Sequence, residues 1–289
     1  MRTITFINNK GGVGKSSSSV IVAHMLTQMG KKVLFVDVDP QGNSSSIFSD
    51  LDVIDLLANM IQGTETNQEV TVQDLFINSK MDIHEAIRKT RYENLDVIPA
   101  LLTLAEIEEQ LKADIKMPQQ FRLKNHFKKI ENEYDYYVID CSPSISILNV
   151  NALAAADEVY LPVRCDGWSA VGVVVSKRLI DTVSEYNPAL KIGGYFFTHF
   201  NARKKISKEI LTLLNVILPE YFIPVTIPQS KDIEEMSVTG IPIGELDKNR
   251  KRKITQNYWE LTKYIASNDN ERKKIKNILM PEFEQMIIE

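Results

Sequence analysis

Residues 8–19 read NNKGGVGKSSSS, and this stretch decides the fold. The apolar run TITFIN precedes it at residues 3–8, and a helix-like segment follows at residues 16–29. Strand, glycines and helix in that order build a phosphate-binding loop. Glycines let the backbone wrap an anion, while the N–H groups and positive dipole end of the helix face it. The eight positions of GxxxxGK[ST] are filled by residues 9–16, with Asn9 in the place of the leading glycine. Gly11, Gly12, Val13, Gly14, Lys15, Ser16 and Ser17 are therefore the expected nucleotide-binding positions. Lys15 supplies charge to the β- and γ-phosphates, and the Ser16 hydroxyl suits Mg²⁺. A phosphate loop needs that one lysine, so a second, Lys10, directly before the glycines calls for another explanation.

Outward from the loop, apolar strand-like runs occupy residues 32–37, 95–99, 136–140, 158–163, 191–198 and 222–227. Helix-like segments at 101–111, 121–130, 172–186, 207–216 and 258–266 lie between or after them. Alternation of this kind predicts an α/β fold: a doubly wound, mostly parallel sheet with helices on both faces, of the P-loop NTPase type. The acidic region of roughly 50–94 reads as a helical excursion between two strands. Residues 1–267 read as one ATPase domain, and 268–289 as an appended C-terminal helical segment. Two runs end in acids where α/β sheets place their chemistry: VLFVDVDPQGN carries Asp37 and Asp39, and YYVIDCSPS carries Asp140. Taken singly, each acid is an ordinary turn or cap residue; beside a phosphate loop, an apolar strand ending in Asp is a candidate Mg²⁺ partner.

Composition narrows the class further. The 289 residues are 44% apolar and 25% charged, ordinary for a soluble globular protein. No run approaches a membrane span, and Met1-Arg2 leads straight into ITFI without signal-peptide anatomy, so a cytoplasmic protein is expected. Cys141 and Cys165 are the only cysteines, too few for a disulfide framework, and His24, His84, His126 and His199 show no metal-ligand spacing. The net charge of −4 conceals an asymmetry: residues 248–276 hold ten Lys/Arg against three Asp/Glu. Such a stretch is either a solvated helix face or a polyanion-binding surface.

Lys10–Ser16, Asp37-Val38-Asp39-Pro40-Gln41-Gly42-Asn43 and Asp140-Cys141-Ser142-Pro143-Ser144 together resemble the deviant Walker A, DxDPQGN and Walker B motifs of the ParA family of DNA-partitioning ATPases. The segments at 93–111, 157–173 and, more weakly, 227–243 are similar to other family segments, so the resemblance covers about residues 2–265. It implies that Lys10 reaches across a two-fold interface to the nucleotide of a partner subunit, so that ATP holds a homodimer together. It further implies Lys10, Lys15 and Asp39 as catalytic residues, Asp39 orienting the attacking water. Ser16 would hold Mg²⁺ directly and Asp140 through water. Asp37 carries a structural or switch role. Base and ribose contacts would come from Asn201 and Pro228, although Asn201 stands where the family usually has Asp, and Gln229-Ser230 where it has Arg-Asn.

The same resemblance implies ATP-dependent binding of nonspecific double-stranded DNA, nucleoid association in that state, and a ParB-like centromere-binding partner that stimulates slow hydrolysis. Gln229 removes one common DNA-binding arginine, which leaves Arg203, Lys204, Lys205, Lys208, Arg250, Lys251, Arg252 and Lys253 as the expected DNA contacts. With the phosphate loop so near residue 1, no helix-turn-helix domain is expected before it. Three alternatives are carried forward. A MinD-like membrane-cycling ATPase would need a basic C-terminal amphipathic helix, whereas NILMPEFEQMIIE contains Pro281, Glu282, Glu284 and Glu289 and no base after Lys276, so no membrane contact is expected. An iron–sulfur carrier related to the nitrogenase iron protein would draw on Cys141. A nucleotide-locked dimeric scaffold with little turnover would look the same in sequence. Trp168 and Trp259 read as core or interface residues.

Overall fold

The strands VLFVD and YYVID are buried at every position, as strands covered on both faces must be. The structure, a computed structural model, describes residues 1–49, 69–113, 118–201 and 204–288. Among these, eight strands form one sheet: β1 Arg2–Phe6, β2 Val33–Asp37, β3 Arg88–Lys89, β4 Leu95–Ile98, β5 Tyr136–Asp140, β6 Glu158–Arg164, β7 Lys191–Thr198 and β8 Phe222–Ile227. Their order is β3-β4-β2-β5-β1-β6-β7-β8, and every pairing is parallel except β3 with β4. The chain crosses from β1 to one side, returns through β5, and leaves to the other side through β6. This reversal opens a crevice at the carboxyl ends of the central strands, where open α/β sheets bind ligands. Phe6 and Asp37 both lie in register with Asp140, so the phosphate loop and both acids emerge on one edge.

Alternate strand residues feed two cores. Val33, Phe35 and Val138 pack with Val20, Ile21, Tyr258 and Leu261 of the helices Lys15–Gln28 and Lys253–Ala266. Leu34, Val36, Tyr137 and Ile139 face the helices Ile147–Ala155 and Gly167–Ser184 through Leu148, Leu153, Val173 and Ile180.

Seven strands fall on the runs expected from sequence; β3 does not, because two edge residues carry no periodicity. Several helices begin elsewhere than expected. The helix expected from 172 begins at Gly167, where Asp166 caps it by accepting from the Ser169 N–H at 2.8 Å. The helix expected from 258 begins at Lys253, after the Asp247 carboxylate accepts from the N–H groups of Lys251 and Arg252. The segment 121–130 is broken into a 3₁₀ turn, the helix Arg122–Phe127 and a second 3₁₀ turn. The region of 50–94 is described only from residue 69, and there it holds one six-residue helix, Val72–Ile77, with turns and β3 rather than a helical run. Residues 50–68 lie outside the described residues.

The C-terminal segment is the helix Asp269–Ile288, and it is docked into the main core. The Arg272 guanidinium donates to both carboxylate oxygens of Glu158 at 2.8 and 2.9 Å, to the Tyr160 hydroxyl at 2.8 Å, and to the carbonyls of Tyr264 and Ile265. Further along the helix, Phe283 is buried against Phe222, ring centroids 4.7 Å apart, and against Phe200. Sequence placed this helix outside the ATPase domain because its anchors, Glu158 and Phe222, are remote along the chain.

Candidate nucleotide and metal site

The phosphate loop turns on two left-handed glycines, Gly12 at φ 70° and Gly14 at φ 83°, a region that costs other residues strain. Gly14 ends the loop as the residue before the helix Lys15–Gln28. Thr198, at the carboxyl end of β7, donates its hydroxyl to the Val13 carbonyl at 2.9 Å and pins the loop to the sheet. The helix Gly167–Ser184 lies flush against the other side: a Cβ on Gly172 would sit 2.3 Å from Asn8 Oδ1 and 3.3 Å from Lys10 Cβ. Ser176 adds a hydrogen bond, its hydroxyl accepting from the Asn9 N–H at 2.9 Å.

Lys15 is buried, and its ammonium donates to the Lys10 carbonyl at 3.0 Å. Burial pulls its pKa below the ordinary lysine range, against the pull of Asp140 and Asp39. These carboxylates belong to a tightly bonded group at the strand ends. Asp37 accepts from the Asp39 N–H through Oδ1, and from the Ser45 N–H and hydroxyl through Oδ2, at 3.0, 2.9 and 2.7 Å. Asp37 is thereby the hub on which the loop 38–45 closes. Asp39 accepts from the Gln41 N–H at 3.0 Å. Asp140 accepts from the Ser44 hydroxyl through Oδ2, whereas its Oδ1 is buried with no hydrogen-bond partner.

Burial raises the pKa of both Asp37 and Asp140, and at Asp37 the charge of Asp140 adds to the rise. At Asp140 the hydroxyls of Ser44 and Ser16 and the charge of Lys15 work the other way. The unpaired oxygen of Asp140 and the Ser16 hydroxyl are hard oxygen donors of the kind that suits a divalent cation such as Mg²⁺. Ser16 and Asp140 are the residues that would hold it.

Lys10 takes a position that sequence left open. In the single chain its ammonium donates to Asp166 Oδ1 at 2.6 Å, and both side chains stay about 30% exposed. Two residues after Asp166, Trp168 is 76% exposed, so it is not a core residue; Val171 on the same helix and Ile145 after β5 are exposed too.

Past the loop, a small pocket of about 80 Å³ is lined by Gly14, Ser17, Thr198, Pro228, Gln229 and Tyr258. It includes two expected nucleotide contacts, Ser17 and Pro228. Asn201 is exposed and outside that lining. Tyr258 enters from the far end of the chain, held by a hydrogen bond with Ser18 at 3.2 Å.

The basic candidates divide. Arg203 lies outside the described residues. Lys204, Lys205 and Lys208 are exposed around the start of the helix Lys205–Ile217, Lys205 within 3.4 Å of Glu209. Arg250 stacks on Trp259, 3.4 Å from the ring centroid, and Arg252 pairs with Asp232 at 2.5 Å. Lys251 and Lys253 are exposed. Part of the basic stretch is therefore spent internally: Lys248 meets Glu245, Lys263 meets Glu260, and Arg272 is buried on Glu158.

Cys141 is fully buried against Thr5, and burial pushes its thiol up to about 12, opposite to what a cluster ligand needs. Among the described residues no helix is long and apolar enough to cross a membrane.

Sequence did not single out Thr198, Asp166, Ser44, Ser45 or Tyr258. Only the two serines carried a usable signal, as hydroxyls directly after the PQGN run.

A parallel sheet with a glycine loop, a buried lysine and paired carboxylates at its carboxyl edge defines a P-loop nucleoside-triphosphatase. A family model described as an AAA domain matches residues 1–192, more than half of the chain. The chromosome-partitioning ATPase Soj of Treponema pallidum (strain Nichols) is 32% identical over 272 residues, covering 94% of this chain and 99% of that protein. This chain belongs to the ParA family of partitioning ATPases. Among solved structures, apo McdA from Cyanothece shares the fold, with a TM-score of 0.75 at 21% identity, covering 92% of this chain and all of that one. A cobyrinic acid a,c-diamide synthase from Mycobacterium smegmatis, solved with a bound ATP analogue and magnesium, gives a TM-score of 0.69 at 26% identity over 92% of this chain and 94% of its own.

Proposed function

We propose that this ATPase is the DNA-binding, nucleotide-switched component of a partition system, acting as a homodimer with a nucleotide in each subunit. The reaction is ATP and water to ADP and phosphate. Lys15 and the amides of residues 11–16 hold the phosphates and offset the charge that spreads over the γ-phosphoryl oxygens. Asp39 orients the attacking water. Mg²⁺, when bound, offsets charge on the β- and γ-phosphates, with Ser16 and Asp140 as its holders.

The observation that carries the dimer is the placement of Lys10. It stands at the rim of the loop, held by one surface ion pair, with Ile145, Trp168 and Val171 exposed on the same edge of the sheet. A cation and an apolar surface at the mouth of a phosphate site suit a second copy of the chain, whose nucleotide Lys10 would contact. ATP then favours the dimer because it binds the dimer better than the monomer. Nonspecific double-stranded DNA binds the dimer, which gives nucleoid association in the ATP state, and a ParB-like partner stimulates hydrolysis and resets the cycle.

Light scattering with ATP or ADP tests the switch. ATP, not ADP, is expected to double the mass of the wild type and leave Lys10→Ala monomeric. A mass indifferent to nucleotide would refute the switch, and a Lys10→Ala protein that dimerises normally would remove that lysine from the interface.

For DNA, the exposed lysines matter more than the engaged arginines. Replacing Lys251 and Lys253 together by alanine should flatten the slope of log affinity against log salt by about 1 to 2, at roughly 0.9 per phosphate contact. Arg252→Ala should change the slope less, since Asp232 already neutralises that guanidinium. An unaltered slope in the double lysine variant would move the DNA surface to the helix Lys205–Ile217.

A further inference from the structure

We infer that Ser44 is a positioning residue for the metal: its hydroxyl fixes the Asp140 carboxylate so that the other oxygen faces the Mg²⁺ position. The inference rests on the reading of Ser16 and Asp140 as the metal's holders. Ser44 and Asp140 are both fully buried, and the Ser44 hydroxyl donates to Asp140 Oδ2. A serine has one proton to donate, so this bond commits it. An aspartate carboxylate turns easily about its last torsion, and a bond to one oxygen removes that freedom. Asp140 Oδ1 is left buried with no partner at hydrogen-bond geometry, although the Ser16 hydroxyl also acts on this carboxylate.

Ser44 is itself firmly placed. The next residue, Ser45, donates twice to Asp37 Oδ2 and accepts from the Ala100 N–H at 2.8 Å, which fastens this end of the loop to β2 and to the chain after β4. At the other end the Asp39 N–H is fastened to Asp37 Oδ1. The loop that carries Asp39 is thus tied by three hydrogen bonds to Asp37 and by one, through Ser44, to Asp140. Ser44 joins the metal's holder to the segment that presents Asp39.

Removing a residue that orients a metal ligand through a hydrogen bond costs about 10–100-fold in metal affinity, and because Asp140 is expected to reach Mg²⁺ through water the lower end applies to Ser44. The test is equilibrium binding of a fluorescent ADP analogue to the full chain, titrated with Mg²⁺ and repeated in EDTA. Ser44→Ala should need about tenfold more Mg²⁺ for half-maximal enhancement of binding, with affinity in EDTA unchanged. Ser44→Thr, which keeps the hydroxyl, should restore the wild-type requirement. Ser44→Cys, close in size with a weak donor, should fall between, and it serves if the alanine variant does not fold. An unchanged Mg²⁺ requirement in Ser44→Ala would overturn the assignment, and so would equal weakening in Mg²⁺ and EDTA. A wild type whose ADP binding ignores Mg²⁺ would instead overturn the metal reading, and the role of Ser44 with it.

Discussion

ATP turnover by an Asp39→Ala variant is expected to fall by at least about 100-fold, while its ATP affinity changes by less than about threefold. The separation follows from how the residue is held. Its backbone N–H donates to Asp37 and its carbonyl accepts from the Gly42 N–H at 2.9 Å, so the loop keeps its course without the side chain. Truncation removes one bond, from the Gln41 N–H. The phosphate-holding groups, Lys15 and the glycine loop, are built on another segment and pinned by Thr198. On the proposed mechanism, what is lost is the carboxylate that orients water, which acts on the chemical step and not on binding. Single-turnover hydrolysis beside equilibrium binding separates the two. Normal turnover would remove Asp39 from the mechanism; lost binding would make it a pocket-shaping residue instead.

Arg272→Ala should destabilise the fold by about 3 kcal/mol, at the lower end of the cost of breaking a buried ion pair. Arg272 binds the C-terminal helix to β6 by charge, and both partners are at most 14% exposed. Its loss leaves Glu158 with Arg2 at 2.6 Å and the Tyr160 hydroxyl at 2.6 Å, which is why the lower end applies. Burial alone would raise the Glu158 pKa; the bonds from Arg272 and Tyr160 and the charges of Arg272 and Arg2 overcome this and hold it at about 2. A carboxylate depressed below its unfolded value contributes stability above about pH 4.5, and that contribution is lost as pH falls towards 2. Urea unfolding at pH 7 and pH 3 should therefore show a smaller gap between wild type and variant at the lower pH. An equal gap at both would mean that Arg272 acts through packing alone.

Much of the candidate site was legible because its chemistry is local in sequence: residues 8–19, just after a strand, contain glycines, a lysine and a hydroxyl in fixed order, and Asp37, Asp39 and Asp140 lie at the ends of apolar runs. Contacts that join distant segments were not legible. Lys10 and Asp166 are 156 positions apart, and Ser18 and Tyr258 are 240 apart. The basic stretch misled in a related way. Charge counted over that stretch leaves out Asp232 and Glu245, which pair with Arg252 and Lys248, and Trp259, on which Arg250 stacks. β3 escaped notice because its order comes from Val97 and Asp96 across the sheet, not from its own two residues.

In the proposed dimer the ion pair between Lys10 and Asp166 is only a low threshold for assembly. Asp166 has a second occupation, capping the helix Gly167–Ser184, so it stays in place when the lysine departs. Exposed pairs of this kind hold by about 0.2–1 kcal/mol. At that strength the lysine of a single chain is free for roughly 15–40% of the time, and on the proposed reading a stronger anion presented by another molecule captures it without first having to unfold anything. On that reading, discrimination between solitary and assembled chains lies with the arriving phosphate, not with the resting contact.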